Sequence, residues 1–269
     1  MHGLGNDFVV IDAINQSVAL TAEQIRFIAD RHFGIGCDQL LLVESADRAD
    51  VDFRYRIFNS DGGEVEQCGN GARCFARFIR DKHLTDKSRI DVSTNAGIIQ
   101  LIVQSNNQVT VNMGLPKFAP QDIPFMAQGR SESYTIALPS QDLEIGVMSI
   151  GNPHAVLLVD DIQQAPVQTW GPLLENHSRF PRRTNVGFMQ IVDKLNIKLR
   201  VFERGVGETR ACGTGACAAV VIGRLWGLLD EQVNVNLPGG QLVVQWAGEG
   251  EPVWMTGPAE SVFEGRISL

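Results

Sequence analysis

Residues 56–72 read RIFNSDGGEVEQCGNGA, and residues 200–216 read RVFERGVGETRACGTGA. Aligned without gaps, they are identical at 8 of 17 positions: Arg56/Arg200, Phe58/Phe202, Gly63/Gly207, Glu64/Glu208, Cys68/Cys212, Gly69/Gly213, Gly71/Gly215 and Ala72/Ala216. Unrelated segments do not agree at that level, so the chain reads as an internal duplication. Each copy sets one cysteine between a strand-like run and a glycine-rich helix start. Two equivalent thiols, one per half, suit chemistry that needs a proton donor and a proton acceptor on opposite sides of one molecule.

The duplication extends outward from these stretches. GNDFVVID at 5–12 has a counterpart in GNPHAVLLVD at 151–160, each a Gly-Asn followed by an apolar run. GIGCDQLLLV at 34–43 is matched with NVGFMQIV at 185–192 through a shared Gly-x-x-Gln spacing, and 97–103 with 240–244 as β-rich runs after a glycine. The order is the same in both halves, with a seam in the Pro-rich stretch 116–124. Two long units are a duplicated domain, not a solenoid. The expected domains are 1–112 with 258–269, and 113–257.

Local patterns assign the elements. Val51, Phe53, Tyr55 and Ile57 alternate with Asp52, Arg54 and Arg56, and Ile197, Leu199 and Val201 alternate with Lys198 and Arg200. Both read as half-buried strands. Thr21 with Gln24 forms a capping box, and Gly34 is expected to end the helix it opens. Residues 71–82 and 214–229 read as helices, the second with almost no polar face and therefore buried. Strands outnumber helices. The expected class is α+β, each half a curved, mainly antiparallel sheet wrapped around one apolar helix.

Bulk properties narrow the partners. The chain has 269 residues, a formal charge of −8 and five cysteines. An acidic protein is a poor match for nucleic acid or an anionic membrane. No apolar run approaches a membrane span, and MHGLGNDF lacks the pattern of a signal peptide. An odd cysteine count in a chain this long points to a reducing, cytoplasmic setting. Cys37, Cys74 and Cys217 are expected to be buried and structural. The spacings C-x5-C and C-x4-C argue against a zinc site.

Glycines after each cysteine allow a sharp turn and close approach of backbone N–H groups to a ligand. A helix start favours an anion such as a carboxylate, and its field is expected to lower the thiol from about 8.5 toward neutrality. One thiolate could then remove an α-proton while the other thiol protonates the opposite face. Backbone N–H groups of Gly69, Asn70, Gly213 and Thr214 would stabilise the enediolate in the manner of an oxyanion hole.

GLGNDF at 3–8, GIGCDQ at 34–39, FNSDG and QCGNGARC within 58–74, GNPH at 151–154, NVGFMQ at 185–190, and ERGVGET with ACGTGA within 203–216 together resemble the diaminopimelate epimerase family. The resemblance covers essentially the whole chain. It implies two pseudo-symmetric domains with the active site in the cleft between them, a homodimer, and interconversion of LL- and meso-diaminopimelate without a cofactor. Cys68 and Cys212 would be the two bases, with His154 and Glu203 tuning them. Asn6 and Gln39 would meet the reacting amino group, and Gly69, Asn70, Gly213 and Thr214 the reacting carboxylate. Asn59, Asn152, Asn185, Glu203 and Arg204 would hold the distal amino-acid centre. Relatives usually carry a few residues ahead of the motif that Met1 opens here. Two other readings remain: a proline or hydroxyproline racemase-like enzyme, which would leave Asn185, Glu203 and Arg204 without a task, and a thiol redox protein, which the lack of C-x-x-C disfavours.

Overall fold

In the computed structural model, which describes residues 1–65, 68–139 and 141–269, the apolar run 40–43 becomes a strand covered on both faces. Leu40 and Leu42 pack with Ile25 and Ile28 of the first long helix. Leu41 points the other way, toward the helix that begins after Cys68. Burial on both faces is why this run lacks the polar alternation of a half-buried strand.

The first unit comprises Met1–Asn112 and Thr256–Leu269. Its elements are β1 (His2–Gly3), β2 (Asn6–Asp12), α1 (Ala22–Ala29), β3 (Gln39–Ser45), β4 (Phe53–Asn59), β5 (Glu64–Val65), α2 (Gly69–Asp81), β6 (Arg89–Thr94), β7 (Gly97–Val103) and β8 (Val109–Asn112). The second unit is Met113–Met255. It contains β9 (Tyr134–Ala137), β10 (Asp142–Ser149), β11 (Pro153–Leu158), α3 (Val167–Glu175), β12 (Asn185–Asp193), β13 (Asn196–Glu203), β14 (Gly207–Thr209), α4 (Gly213–Leu225), β15 (Gln232–Leu237), β16 (Gly240–Trp246) and most of β17 (Val253–Gly257).

The two units repeat one connectivity. In the first, β2 pairs parallel with β3, β3 and β5 flank β4 antiparallel, and β4 pairs parallel with β6. In the second, β11 and β12 are parallel, β12 and β14 flank β13 antiparallel, and β13 pairs parallel with β15. Each sheet is therefore mixed. The parallel pairs arise where a helix carries the chain from one strand to the next, which a hairpin cannot do. α2 packs on β2, β3, β7 and β8, and α4 on β10, β11, β12, β13, β15 and β16. Ten of the thirteen α4 residues are buried, in keeping with its apolar sequence.

The residues shared by the duplicated stretches have identifiable tasks. Arg56 forks onto Glu64 at 2.8 and 2.9 Å, and Arg200 onto Glu208 at 2.6 and 3.0 Å, each joining neighbouring strands. Phe58 and Phe202 enter the cores beside α1 and α3. Gly71 and Gly215 are steric requirements: a Cβ on Gly71 would stand 2.7 Å from Tyr55 Oη, and one on Gly215 2.9 Å from Val201 Cγ2.

Three sequence expectations shift. The Thr21–Gln24 capping box is present, but α1 ends at Ala29 with Asp30 as its cap, ahead of Gly34. Asp30 Oδ1 draws the His32 and Phe33 N–H groups into a turn that stops the helix. α4 ends at Leu225 rather than 229, because Gly227 (φ +71°) closes a Schellman motif: Gly227 N–H donates to Arg224 O and Leu228 N–H to Gly223 O. His83, 144 residues earlier, closes α2 in the same way at φ +54°. Finally, the Gly-x-x-Gln match misaligns one strand. Phe8 pairs with Gln39 and His154 with Asn185, so the partner of Gln39 in the second unit is Asn185. Gln190 does other work, accepting the Ile162 N–H at 3.1 Å. Register follows strand pairing, not motif spacing.

Candidate active site

Cys68 and Cys212 are the N-caps of α2 and α4, both in extended backbone conformation. The cap residue stands beside the unpaired N–H groups of the first helical turn, so both thiols sit at helix starts.

In the first unit the Cys68 Sγ lies 3.7 Å from Asn6 Oδ1, which also accepts the Asn70 amide at 3.3 Å. Asn6 is oriented from behind: its Nδ2 donates to Asp38 Oδ2 at 2.9 Å. Arg31 donates to Asp7 through two nitrogens at 2.8 Å and to Asp38 at 2.7 Å, while Asp38 N–H donates to Asp7 Oδ1 at 2.7 Å. Burial works against the Asp7 charge, yet the Arg31 hydrogen bond and the other donors hold its carboxyl below the ordinary value. On the other side, Arg73 is 0% exposed. Its guanidinium donates to Asn70 Oδ1 at 3.0 Å, Pro258 O at 3.1 Å and Gly69 O at 3.4 Å. Gln39 Nε2 donates to Asn59 Oδ1 at 2.9 Å across a β3–β4 pair.

In the second unit Cys212 is 4% exposed. Its Sγ accepts the Gly215 N–H at 3.4 Å and lies 3.6 Å from Thr214 Oγ1. The Glu203 carboxylate, which accepts the Thr209 hydroxyl, is near enough for its charge to act on the thiol. Burial pushes Cys212 well above its ordinary value and the Glu203 charge pushes it further. Burial likewise raises Glu203. This overturns the expectation of a lowered thiol at this helix start. Removing the sulfur from water opposes the thiolate more than one N–H contact favours it.

Asn152 Nδ2 donates to Thr214 Oγ1 at 3.3 Å, and Asn152 Oδ1 lies 3.0 Å from His154 Nε2. With that oxygen as acceptor, the imidazole is a neutral Nε2–H tautomer. Burial, aided by the Arg204 charge, lowers His154 to about 3. Asn185 Nδ2 donates to Pro153 O at 2.9 Å, and its Oδ1 accepts the Arg204 N–H at 3.0 Å.

The expected residues thus fall into connected groups: Cys68, Asn6 and Asn70; Gln39 and Asn59; Cys212, Glu203, Thr214, Asn152 and His154; Asn185 and Arg204. Gly69 and Gly213 open the two helices. The bonds cross the division expected between reacting and distal ends, since Asn152 bonds Thr214 and Asn59 bonds Gln39. Arg31, Asp7, Asp38, Arg73 and Thr209 are additions. Asp7 and Asp38 lie inside the GNDF and GCDQ motifs, but nothing local indicates that one arginine joins them. Cys37, Cys74 and Cys217 are all buried. Among the described residues no cluster of His, Cys, Asp and Glu has the make-up of a metal site, and no helix is long and apolar enough to cross a membrane.

A duplicated α+β chain with a cysteine at the start of each copy's helix has the fold of known racemases and epimerases. A probable proline racemase from Agrobacterium radiobacter superimposes with a TM-score of 0.70 at 16% identity, over 100% of this chain and 91% of that one. A hydroxyproline epimerase from Agrobacterium vitis does so with a TM-score of 0.67 at 16% identity, over 96% and 87%. A PhzF-family phenazine biosynthesis protein from Bacillus anthracis is similar, with a TM-score of 0.67 at 18% identity, over 96% and 92%. Within that class, the chain belongs to the diaminopimelate epimerase family. The family model described as Diaminopimelate epimerase matches residues 1–119 and 146–262. Relatives of that name are 57% identical in Nitrosospira multiformis, over 100% of this chain and 97% of the relative, and 63% identical in Thioalkalivibrio sulfidiphilus, over 100% and 98%.

Proposed function

We propose that this chain interconverts LL- and meso-2,6-diaminopimelate by two-base α-proton transfer, serving lysine and peptidoglycan precursor synthesis. The observation that carries the reading is end-to-end similarity to diaminopimelate epimerases at 57–63% identity. In the resting form the Cys68 thiolate takes the α-proton, and the bond electrons pass into the carboxylate as an enediolate. The Cys212 thiol delivers its proton to the opposite face, leaving Cys68 protonated and Cys212 as thiolate, ready for the reverse direction. The burial of Cys212 and the carboxylate charge that acts on it support its role as resting donor. N–H groups at the two helix starts stabilise the enediolate. Arg204 takes the distal carboxylate and the asparagines bind the ammonium groups and carboxylates. No added cofactor is required. A cytoplasmic homodimer completes the proposal, supported by the acidic, cysteine-odd composition and the family resemblance.

The test is incubation with LL-diaminopimelate in deuterated water without added pyridoxal phosphate. Meso product carrying deuterium at one α-carbon supports the mechanism, and absence of exchange refutes it. Cys68→Ala and Cys212→Ala should each abolish epimerisation; substantial turnover by either would remove the symmetric assignment. A proline racemase-like activity would appear as exchange into proline under the same conditions.

A further inference from the structure

The turn that leaves β13, residues 203–206, is held differently from its counterpart in the first unit. There, Gly62 (φ +90°) is wedged against α1: a Cβ on it would stand 2.7 Å from Ala22 O and 3.0 Å from Ala22 Cβ. Val206, the residue that matches Gly62, is 76% exposed, and nothing lies within 4 Å of a Cβ added to its neighbour Gly205 (φ +76°). In the first unit Arg26 of α1 also donates to the turn, at Asp61 O, 3.1 Å away. In the second the polarity is reversed, and side-chain oxygens accept the turn's own N–H groups. Arg204 N–H donates to Asn185 Oδ1 at 3.0 Å, and Gly205 N–H donates to Glu175 Oε1 at 2.7 Å.

Glu175 is the last residue of α3 and is buried, its side chain 8% exposed. Arg183 Nη1 lies 3.7 Å from the same Oε1, and Asn176 Nδ2 lies 3.3 Å from Oε2. A buried carboxylate must be compensated, and its bond to a backbone N–H is of the stronger, charge-assisted kind. α1, the corresponding helix of the first unit, ends in Ala29, which offers no such acceptor. The carboxylate is therefore present only in the copy whose turn carries Glu203 and Arg204. The turn itself is exposed, Val206 at 76%.

We propose that Glu175 is a positioning residue for substrate recognition. It clamps the backbone between Arg204 and Val206, and so sets where the Arg204 guanidinium meets the carboxylate remote from the reacting carbon. This rests on the diaminopimelate reading for the identity of the ligand, but the clamp has a readout of its own.

The experiment compares E175M, which keeps volume but cannot accept, with E175Q, whose amide oxygen can. E175M should raise KM for LL-diaminopimelate about tenfold or more while kcat changes less than about threefold, and E175Q should raise KM less. Trypsin should cut after Arg204 faster in E175M than in wild type or E175Q. If E175M does not fold, E175S, too short to reach Gly205, replaces it. Unchanged KM and unchanged cleavage after Arg204 would overturn the proposal, as would equal effects of E175M and E175Q. Faster cleavage in a protein whose wild type shows no epimerisation would sustain the clamp and overturn the ligand.

Discussion

The Glu203 carboxylate, held by the Thr209 hydroxyl, places its charge beside the Cys212 thiol, whereas Asn59, the residue that matches Glu203 in the first unit, is neutral and accepts the Gln39 amide. The duplication thus keeps its two sulfurs and changes the charge beside one of them. Burial raises Cys212 and the adjacent carboxylate raises it further. Glu203→Gln removes the charge while preserving the shape. The Cys212 value should then fall toward the ordinary thiol range, so more thiolate exists at pH 8.5. Alkylation of the Cys212 peptide by iodoacetamide, followed by mass spectrometry, should be several-fold faster than in wild type. Equal or slower labelling would disprove the coupling.

His154 predicts an acid weakness. Its folded value lies near 3, well below the ordinary imidazole value. Folding therefore favours the neutral ring. Below about pH 6.5 the unfolded chain takes up a proton that the folded chain does not, so stability present above 6.5 is lost as pH falls toward 3. Urea midpoints at pH 7, 6, 5 and 4 should fall more steeply for wild type than for His154→Gln. Parallel curves would remove His154 as the cause.

Gly71 is needed because Tyr55 stands over it. Gly71→Ala forces a Cβ to 2.7 Å from the Tyr55 hydroxyl, an overpacking expected to cost about 1–3 kcal/mol. Tyr55→Phe removes the clashing oxygen. The double variant should be less destabilised than the sum of the two singles by at least about 0.5 kcal/mol in chemical denaturation. Simple additivity would refute the steric account.

The two Schellman caps predict changes of opposite sign. Gly227→Ala puts a Cβ on a φ of +71° and should destabilise by about 1 kcal/mol. His83→Gly relieves the same conformation in α2, where φ is +54°, and should stabilise by up to about 1 kcal/mol, less the greater freedom gained by the unfolded chain. Calorimetric midpoints decide between this and a shift of the same sign at both positions.

Residues close together in the chain left readable traces. The duplication, the two cysteines ahead of helices, the capping box at Thr21 and the alternating strands around Tyr55 and Leu199 all follow from neighbouring side chains. The candidate polar residues are named by the family resemblance, which short motifs carry. Tertiary structure decided the rest. The equivalence of Gln39 with Asn185 depends on which strands pair, and a Gly-x-x-Gln spacing cannot report that. The upward shift of Cys212 depends on burial and on Glu203, nine residues back and brought alongside by β13 and β14. The roles of Arg31 between Asp7 and Asp38, and of Glu175 at Gly205, require side chains to meet across 24, 7 and 30 positions. Local preference acts over a few residues, whereas desolvation and strand register are set only when distant segments come together.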